Sequence, residues 1–392
     1  MQTVYWDNIS LFIYLMQSIL GMFCFKFICR NPSYGGNFSI ICKPYSLCLV
    51  SLWTFMASYR LVGWGIGGMD AINYVNDFNN CINTSLLSDH ATSDLGFLWI
   101  QQAIRHITSN YHLFFIIAYA FIASSYIVFI HRFSSKLFNI IPLLLVFYLY
   151  LRGYNTLRSN VTISFILLGL VNVANSKYKW AYSCFLGACL MHKAGILYAF
   201  SIPYLHLVLK KGIKIKYLFY IGFILFLMAS WLRDLFIAFA ALNDLGGAYG
   251  SYARIAKENN DFLSGITENS MQYLLSVIIV VFAHKIKIIT SHYGEKVYNI
   301  INILIYICFF DIMLIPFNVM LGIWRGYEFF YIPRVCMWSV LLYVFLRNKS
   351  KRFKALINFL FFALFVSWFI FRLNRTYSDS ALMPYIFDFS CF

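Results

Sequence analysis

Charge is scarce in this chain. Asp, Glu, Lys and Arg together make up 12% of its 392 residues, against about a quarter in an ordinary soluble domain. Acidic residues are scarcer still, 15 against 31 Lys and Arg. The patterns of several enzyme classes are also missing. No G-x-x-x-x-G-K-[ST] loop occurs to cradle a nucleotide, the one G-x-G-x-x-G string (Gly63–Gly68) follows an apolar helical run and not a strand, and no H-E-x-x-H occurs to hold zinc. The ten cysteines form no C-x-x-C pair and no Cys/His metal spacing. Most lie within apolar runs and read as small core residues; Cys81 and Cys391 lie outside those runs. No internal repeat and no inverted symmetry of the transporter kind is visible. ATP coupling, zinc hydrolysis and a disulfide scaffold are therefore disfavoured, and no cofactor or metal is expected.

What the chain has in excess is hydrocarbon. It is 61% hydrophobic with a mean hydropathy of +0.70. Apolar runs of the length needed to cross a bilayer as helix, about 17–25 residues, recur from end to end. The first run has no small-x-small cleavage site after it and reads as a retained span. The fold class is an all-α polytopic integral membrane protein, a single transmembrane domain over 1–392. About twelve spans are expected, at 9–28, 45–62, 111–130, 137–151, 157–174, 180–191, 194–209, 217–232, 270–288, 297–315, 332–346 and 355–372.

The net charge of +16 would point to nucleic acid in a soluble protein. Here the positive-inside bias of cytoplasmic loops accounts for it, and no nucleic-acid partner is expected. Placing the basic clusters Lys26/Arg30/Lys43, Arg132/Lys136, Lys177/Lys179, Lys210 to Lys216, Lys285/Lys287/Lys296 and Arg347 to Lys354 inside puts both termini outside. The two faces then differ in chemistry. Lysine dominates the inner clusters. The outer face carries Arg60, Arg105, Arg152, Arg158, Arg233, Arg254, Arg325, Arg334, Arg372 and Arg375, with only Lys193 and Lys257. A point charge suffices for orientation, whereas the planar donor fork of arginine suits phosphate and carboxylate. An anionic ligand at the outer face is the reading that follows.

Three external segments hold most of the polar residues, at about 60–111, 233–270 and 316–332. Within the first, "SDLGFLWIQQAIRHI" (93–107) has Phe97, Ile100, Ile104 and Ile107 at helical spacing with Gln101, Arg105 and His106 on other faces. It reads as an interfacial amphipathic helix. The stretch 180–209 is flanked by lysines at both ends. As one helix it would be about 45 Å long, too long for a core of about 30 Å, so the chain must turn back, most simply at "MHKAG" (191–195). That places His192 at membrane depth, where an ionisable group is a functional candidate. In "YLRGYNTLRSN" (150–160), Asn155 or Thr156 is positioned to cap the helix that follows. Arg158 then falls in its first turn, where a cation opposes the helix dipole. A bound anion would be favoured there by both the guanidinium and the free N–H groups.

The series "YRLVGWGIGGMDAINYVNDF", "DLGFLWI", "LRGYNTLRSNVTISFILLGL", "GACLMHKAGIL" and "RGYEFFYIPRVCMW" resembles the EpsG-like branch of Wzy-type O-antigen and exopolysaccharide polymerases. Arg60, Asp70, Tyr74, Gly96, Arg158, His192 and Arg334 fit its pattern. Asp94 stands where Glu is more usual, and Trp64–Gly68 lengthens the approach to Asp70. The resemblance implies a glycosyltransferase of the bacterial inner membrane, active on the periplasmic face. It would join oligosaccharide repeat units carried on undecaprenyl diphosphate, with membrane lipids, a chain-length regulator (polysaccharide co-polymerase) and a flippase as partners. Arg152, Arg158, Arg325 and Arg334 would serve the diphosphate, and His192 or Glu328 would act as base. Arg60, Asp70, Tyr74 and Asp94 would hold the sugars, with Tyr249, Tyr252 and Trp324 stacking on them. A lipid-linked oligosaccharide flippase, an O-antigen ligase and a multi-pass acyltransferase are the other readings. A flippase should carry charge in both halves of a central cavity, whereas a ligase shares the donor and differs in its acceptor.

Overall fold

A computed structural model of the chain describes residues 8–30, 37–63, 66–68, 70–83, 87, 94–133, 138–214, 276–320, 326–380 and 385–388, with residue 382 and isolated positions between 217 and 234. Among these residues the chain is helical and contains no strand, only two isolated bridges. The helices are α1 (Asn8–Arg30), α2 (Asn37–Ile41), α3 (Pro44–Ser58), α4 (Ala71–Asn80), α5 (Leu95–Arg105), α6 (Tyr111–Phe133), α7 (Val146–Arg152), α8 (Leu157–Ala174), α9 (Tyr178–Met191), α10 (Ile196–Ala199), α11 (Ser201–Lys211), α12 (Ala283–Ser291), α13 (Glu295–Met320), α14 (Tyr331–Leu346) and α15 (Lys351–Ser380). Short 3-10 turns at Ile141–Leu145, Lys193–Gly195 and Gly326–Glu328 lead into α7, α10 and α14.

Among the described residues, five segments are long and apolar enough to cross a membrane: Asn8–Cys29, Tyr111–Phe133, Leu157–Ala174, Val297–Ile315 and Lys351–Leu373. The shorter apolar helices Ile141–Arg152 and Tyr331–Leu346 add to them. The protein is an all-α, multi-pass membrane protein. Helix α8 coincides with the expected span at 157–174, and α9 ends at Met191, next to the expected reversal. Tyr178 at the start of α9 stacks on His206 of α11 at 4.1 Å, so the chain has come back on itself between them.

The chain forms two compact units, one of Met1–Asn175, Lys179–Ala199 and Val335–Phe392, the other of Ser176–Tyr178 and Phe200–Arg334. In the first, α3 and α8 pack on α6, and α1 packs on α3. Trp53 of α3 is fully buried, 5.1 Å from the Phe147 ring and 4.9 Å from the Tyr150 ring. A strap at 385–388 closes over this unit. Leu61 donates to the Ile386 carbonyl at 2.7 Å, Asp388 N–H to the Tyr59 carbonyl at 2.8 Å, and the Asp388 carboxylate lies 3.7 Å from His112. In the second unit, α11 and α12 pack on α13.

Helix α5 keeps the amphipathic pattern at most positions, with Phe97 and Ile104 buried and His106 just past its end exposed, and departs from it at Gln101. Gln101 is 1% exposed and donates to the Tyr74 carbonyl, while Trp99 and Ile107 are 55% and 79% exposed. Gln101 turns inward because a buried partner satisfies it, and Trp99 is left outermost, as lipid contact permits.

Candidate functional site

The turn between α7 and α8 is the platform of the site. The Arg152 carbonyl accepts the N–H groups of Asn155 and Thr156 and the Thr156 hydroxyl, at 3.1, 3.0 and 2.9 Å. Thr156 occupies the N-cap position of α8 but makes no side-chain cap bond; its hydroxyl donates backward to the Arg152 carbonyl and its oxygen accepts Asn160 Nδ2 at 2.9 Å. Asn155 does not cap α8 either; its side-chain oxygen accepts Asp70 N–H at 2.7 Å. The expected cap is thus replaced by a clamp between this turn and the segment before α4. Arg152 itself is buried, 8% exposed.

Arg60 completes the clamp. It is 1% exposed and donates to the carbonyls of Ala57, Gly67 and Tyr154 and to the Tyr119 hydroxyl. Its guanidinium lies 4.3 Å from the Tyr154 ring centroid. Gly67 and Gly68 adopt φ of +75° and +109°, and a Cβ on Gly68 would sit 2.6 Å from the Tyr154 carbonyl oxygen. Only glycine meets both conditions, which explains the Gly pair before Asp70. The donors of Arg60, expected on sugar hydroxyls, are turned onto the chain. Asp70 is half-buried beside Asn155, and Tyr74 is buried in α4.

Above this platform three chain segments meet. Asp94 Oδ2 lies 3.1 Å from Arg158 Nη1 and 3.0 Å from His192 Nδ1. Asp94 Oδ1 accepts Lys193 N–H at 3.0 Å. The carboxylate is 3% exposed, whereas the Arg158 and His192 side chains are 17% and 21% exposed. Asp94 is therefore the buried floor, with two groups reaching outward from it. It stands at the N-cap of α5 yet makes no cap bond there; its oxygens are spent across space. Arg158 also lies over the Tyr74 ring at 5.5 Å. The first turn of α8 thus has a carboxylate partner within the protein, 64 residues earlier in the chain.

Gly96 makes this meeting possible. A Cβ there would fall 2.8 Å from Leu190 Cβ and 2.9 Å from the Leu190 carbonyl oxygen, so α5 and the end of α9 touch backbone to backbone. Burial alone pushes the Asp94 carboxyl up. The hydrogen bond and charge of His192, then Arg158 and Lys193 N–H, outweigh it, and the net shift is below the usual carboxylate value of 3.8. With Asp94 ionised, Nδ1 of His192 is the donor, which leaves Nε2 as the basic nitrogen.

The second unit holds a different arrangement. Arg334 Nε lies 3.5 Å from Asp311 Oδ2, and Ser276 donates to the same oxygen at 2.6 Å. Arg334 also donates to the carbonyls of Tyr327 and Phe330. Both charged side chains are nearly inaccessible, 4% and 1% exposed. Glu328 sits in the 3-10 turn before α14, 1% exposed. Asp311 escaped the sequence reading, although a carboxylate inside the apolar run 297–315 is itself a signal. Arg325, Trp324, Tyr249 and Tyr252 lie outside the described residues. Among the described residues no group of three or more His, Cys, Asp and Glu gathers at metal-binding distance.

A helical membrane protein with an Asp-anchored Arg and His reaching from its first unit is the class these features define. The chain belongs to the EpsG family, whose family model matches residues 43–387, a stretch that holds every residue of the cluster. That membership supports a membrane protein of the polysaccharide-polymerase type. Comparison with curated proteins and with solved structures found no match.

Proposed function

We propose that this protein is a glycosyltransferase that joins undecaprenyl-diphosphate-linked repeat units into a polysaccharide at the periplasmic face of a bacterial inner membrane. The observation that carries the reading is the shared carboxylate, Asp94 Oδ2 between His192 Nδ1 and Arg158 Nη1. Chain transfer needs a proton acceptor and a stabiliser of the departing diphosphate. His192 Nε2 takes the proton of the acceptor hydroxyl as its oxygen attacks the anomeric carbon. The bond from that carbon to the diphosphate oxygen breaks, and its electron pair leaves with the diphosphate, whose charge Arg158 offsets. Asp94 stabilises the imidazolium that forms and keeps Nε2 toward the substrate. Of the two groups expected as base, His192 is favoured over Glu328 because it is the more exposed and is oriented by a carboxylate. A flippase and a chain-length regulator would act before and beside it.

The test is deletion of the gene followed by gel analysis of the surface polysaccharide. A polymerase leaves a single repeat unit where the parent strain shows a ladder, and plasmid-borne wild-type chain restores the ladder. Complete loss of the repeat unit overturns the reading in favour of a ligase or flippase.

A further inference from the structure

Beside the Asp94 cluster lies a cleft of about 210 Å³ walled by α5, α6 and α8. Its walls are apolar throughout: Phe97 and Ile100 of α5, Phe114 and Phe121 of α6, and Val161 and Phe165 of α8 set its shape. Cleft and cluster share two helices in register. Phe97 follows Asp94 by three residues and Val161 follows Arg158 by three, so each helix carries a polar group at its start and a cleft wall one turn on. Rings join the two regions without a gap. Arg158 lies over Tyr74 at 5.5 Å, and the Tyr74 ring is 5.8 Å from Phe97. Within the walls, Phe97 meets Phe114 edge-on at 5.4 Å and Phe121 meets Phe165 at 4.9 Å. The cleft reaches the outside at Ile117, which lines it and is 46% exposed on a helix apolar enough to span the membrane.

Chemistry limits the occupant. Water would find no hydrogen-bond partners on such walls, and sugar hydroxyls would be buried unpaired. A hydrocarbon chain fits, but in a membrane it gains little from leaving the lipid phase, so its head must select it. The carboxylates near the head position, Asp94 and Asp77, are buried, whereas the groups that reach outward there are the cations Arg158 and exposed Lys193, an arrangement that favours an anion. An amphiphile with an anionic head and an apolar chain matches both halves. Resting on the function proposed above, we infer that this cleft seats the isoprene units next to the phosphate of the lipid carrier, with that phosphate at Arg158. The four phenylalanine rings offer flat faces to the planar double bonds of a polyprenyl chain, a contact that a saturated acyl chain lacks.

The experiment uses the full chain in nanodiscs of phosphatidylethanolamine and phosphatidylglycerol. The probe is a polyprenyl monophosphate carrying a diazirine on its second isoprene unit, irradiated and mapped by peptide mass spectrometry. Label is expected on residues 97–100 and 114–121, reduced at least tenfold by excess undecaprenyl monophosphate and unchanged by excess phosphatidylglycerol. Ala118→Leu, which fills the cleft, should cut labelling at least fivefold with an unchanged size-exclusion profile. Ile100→Trp serves as a second filling variant if Ala118→Leu fails to fold. Label elsewhere, equal displacement by phosphatidylglycerol (an ordinary lipid site), or full labelling of a well-folded filled variant overturns the inference. The assay needs no sugar transfer. A labelled cleft in a protein that builds no polymer overturns the polymerase reading alone, whereas polymer from an unlabelled protein overturns the cleft alone.

Discussion

Gly96 and Leu190 touch with no room for a side chain between them: a Cβ at position 96 would lie 2.8 Å from Leu190 Cβ. Gly96→Val should therefore push the start of α5 away from the end of α9 and part Asp94 from His192. Misplacing a catalytic group by about 1 Å costs about 10²-fold in rate. The polysaccharide ladder should collapse toward single units while the variant still inserts and runs as wild type on size exclusion. An unchanged ladder would show that the contact is not needed.

Asp94→Asn keeps the shape and removes the charge. It leaves Arg158 without its carboxylate and His192 without the group that fixes its tautomer. Polymer yield should fall by at least about 10²-fold, the lower range for general base catalysis. His192→Ala should match it, and the double variant should lose little more, because the two act as one unit. Additive losses, measured in the same polymer assay, would show independent roles.

Acid should erase the stabilising part of this arrangement in a defined direction. The Asp94 carboxyl is held below its unfolded value near 3.8. Its contribution is then fully present above that value and is lost as pH falls through the folded value. The melting temperature of the wild type should exceed that of Asp94→Asn from neutral pH down to about 5, and the gap should close in more acid solution. A gap that widened on acidification would reverse the assignment.

The Asp311–Arg334 pair makes a stability prediction free of any view of mechanism. Asp311→Leu alone strands a buried guanidinium and should cost roughly 3–5 kcal/mol, whereas replacing both members by apolar residues is often neutral. Asp311→Leu should thus express poorly and melt early, and Asp311→Leu/Arg334→Met should recover both properties. Recovery of stability without polymer would assign Arg334 a role in the reaction as well.

Arg60→Lys tests the clamp. A lysine keeps the charge but is a compact point donor. It cannot reach the Gly67, Ala57, Tyr119 and Tyr154 oxygens together. The variant should melt several degrees lower, with protease cutting first in the 60–70 segment. Wild-type protection there would show that the Gly67–Gly68 turn holds itself.

The helices were legible because long apolar runs with polar ends are a strong signal, and α8 matches its expected span end to end. The residues of the cluster were also legible one by one, Arg158 from its place in a helix first turn and His192 from the short arm before it. Their relation was not. A pairing over 64 or 98 residues leaves no periodic trace, so the reading that sought a ligand anion for Arg158 did not see that Asp94 also partners it within the chain. The inward turn of Gln101 in α5 was not legible because its partner, the Tyr74 carbonyl, lies 27 residues earlier in the chain. Asp311 hid for the opposite reason, a single charge in a run otherwise apolar enough to read as uninterrupted.

The cluster draws its parts from positions 94, 158 and 192–193, which gives its assembly an order in time. During synthesis Asp94 emerges first and waits through most of a hundred residues before the last of its partners exists. A nascent chain halted before position 192 carries two of the three groups and lacks the proposed base. Biogenesis can therefore be followed by the arrival of one histidine, and an insertion machinery that stalls at α9 would deliver a membrane protein with its first spans in place and the cluster incomplete.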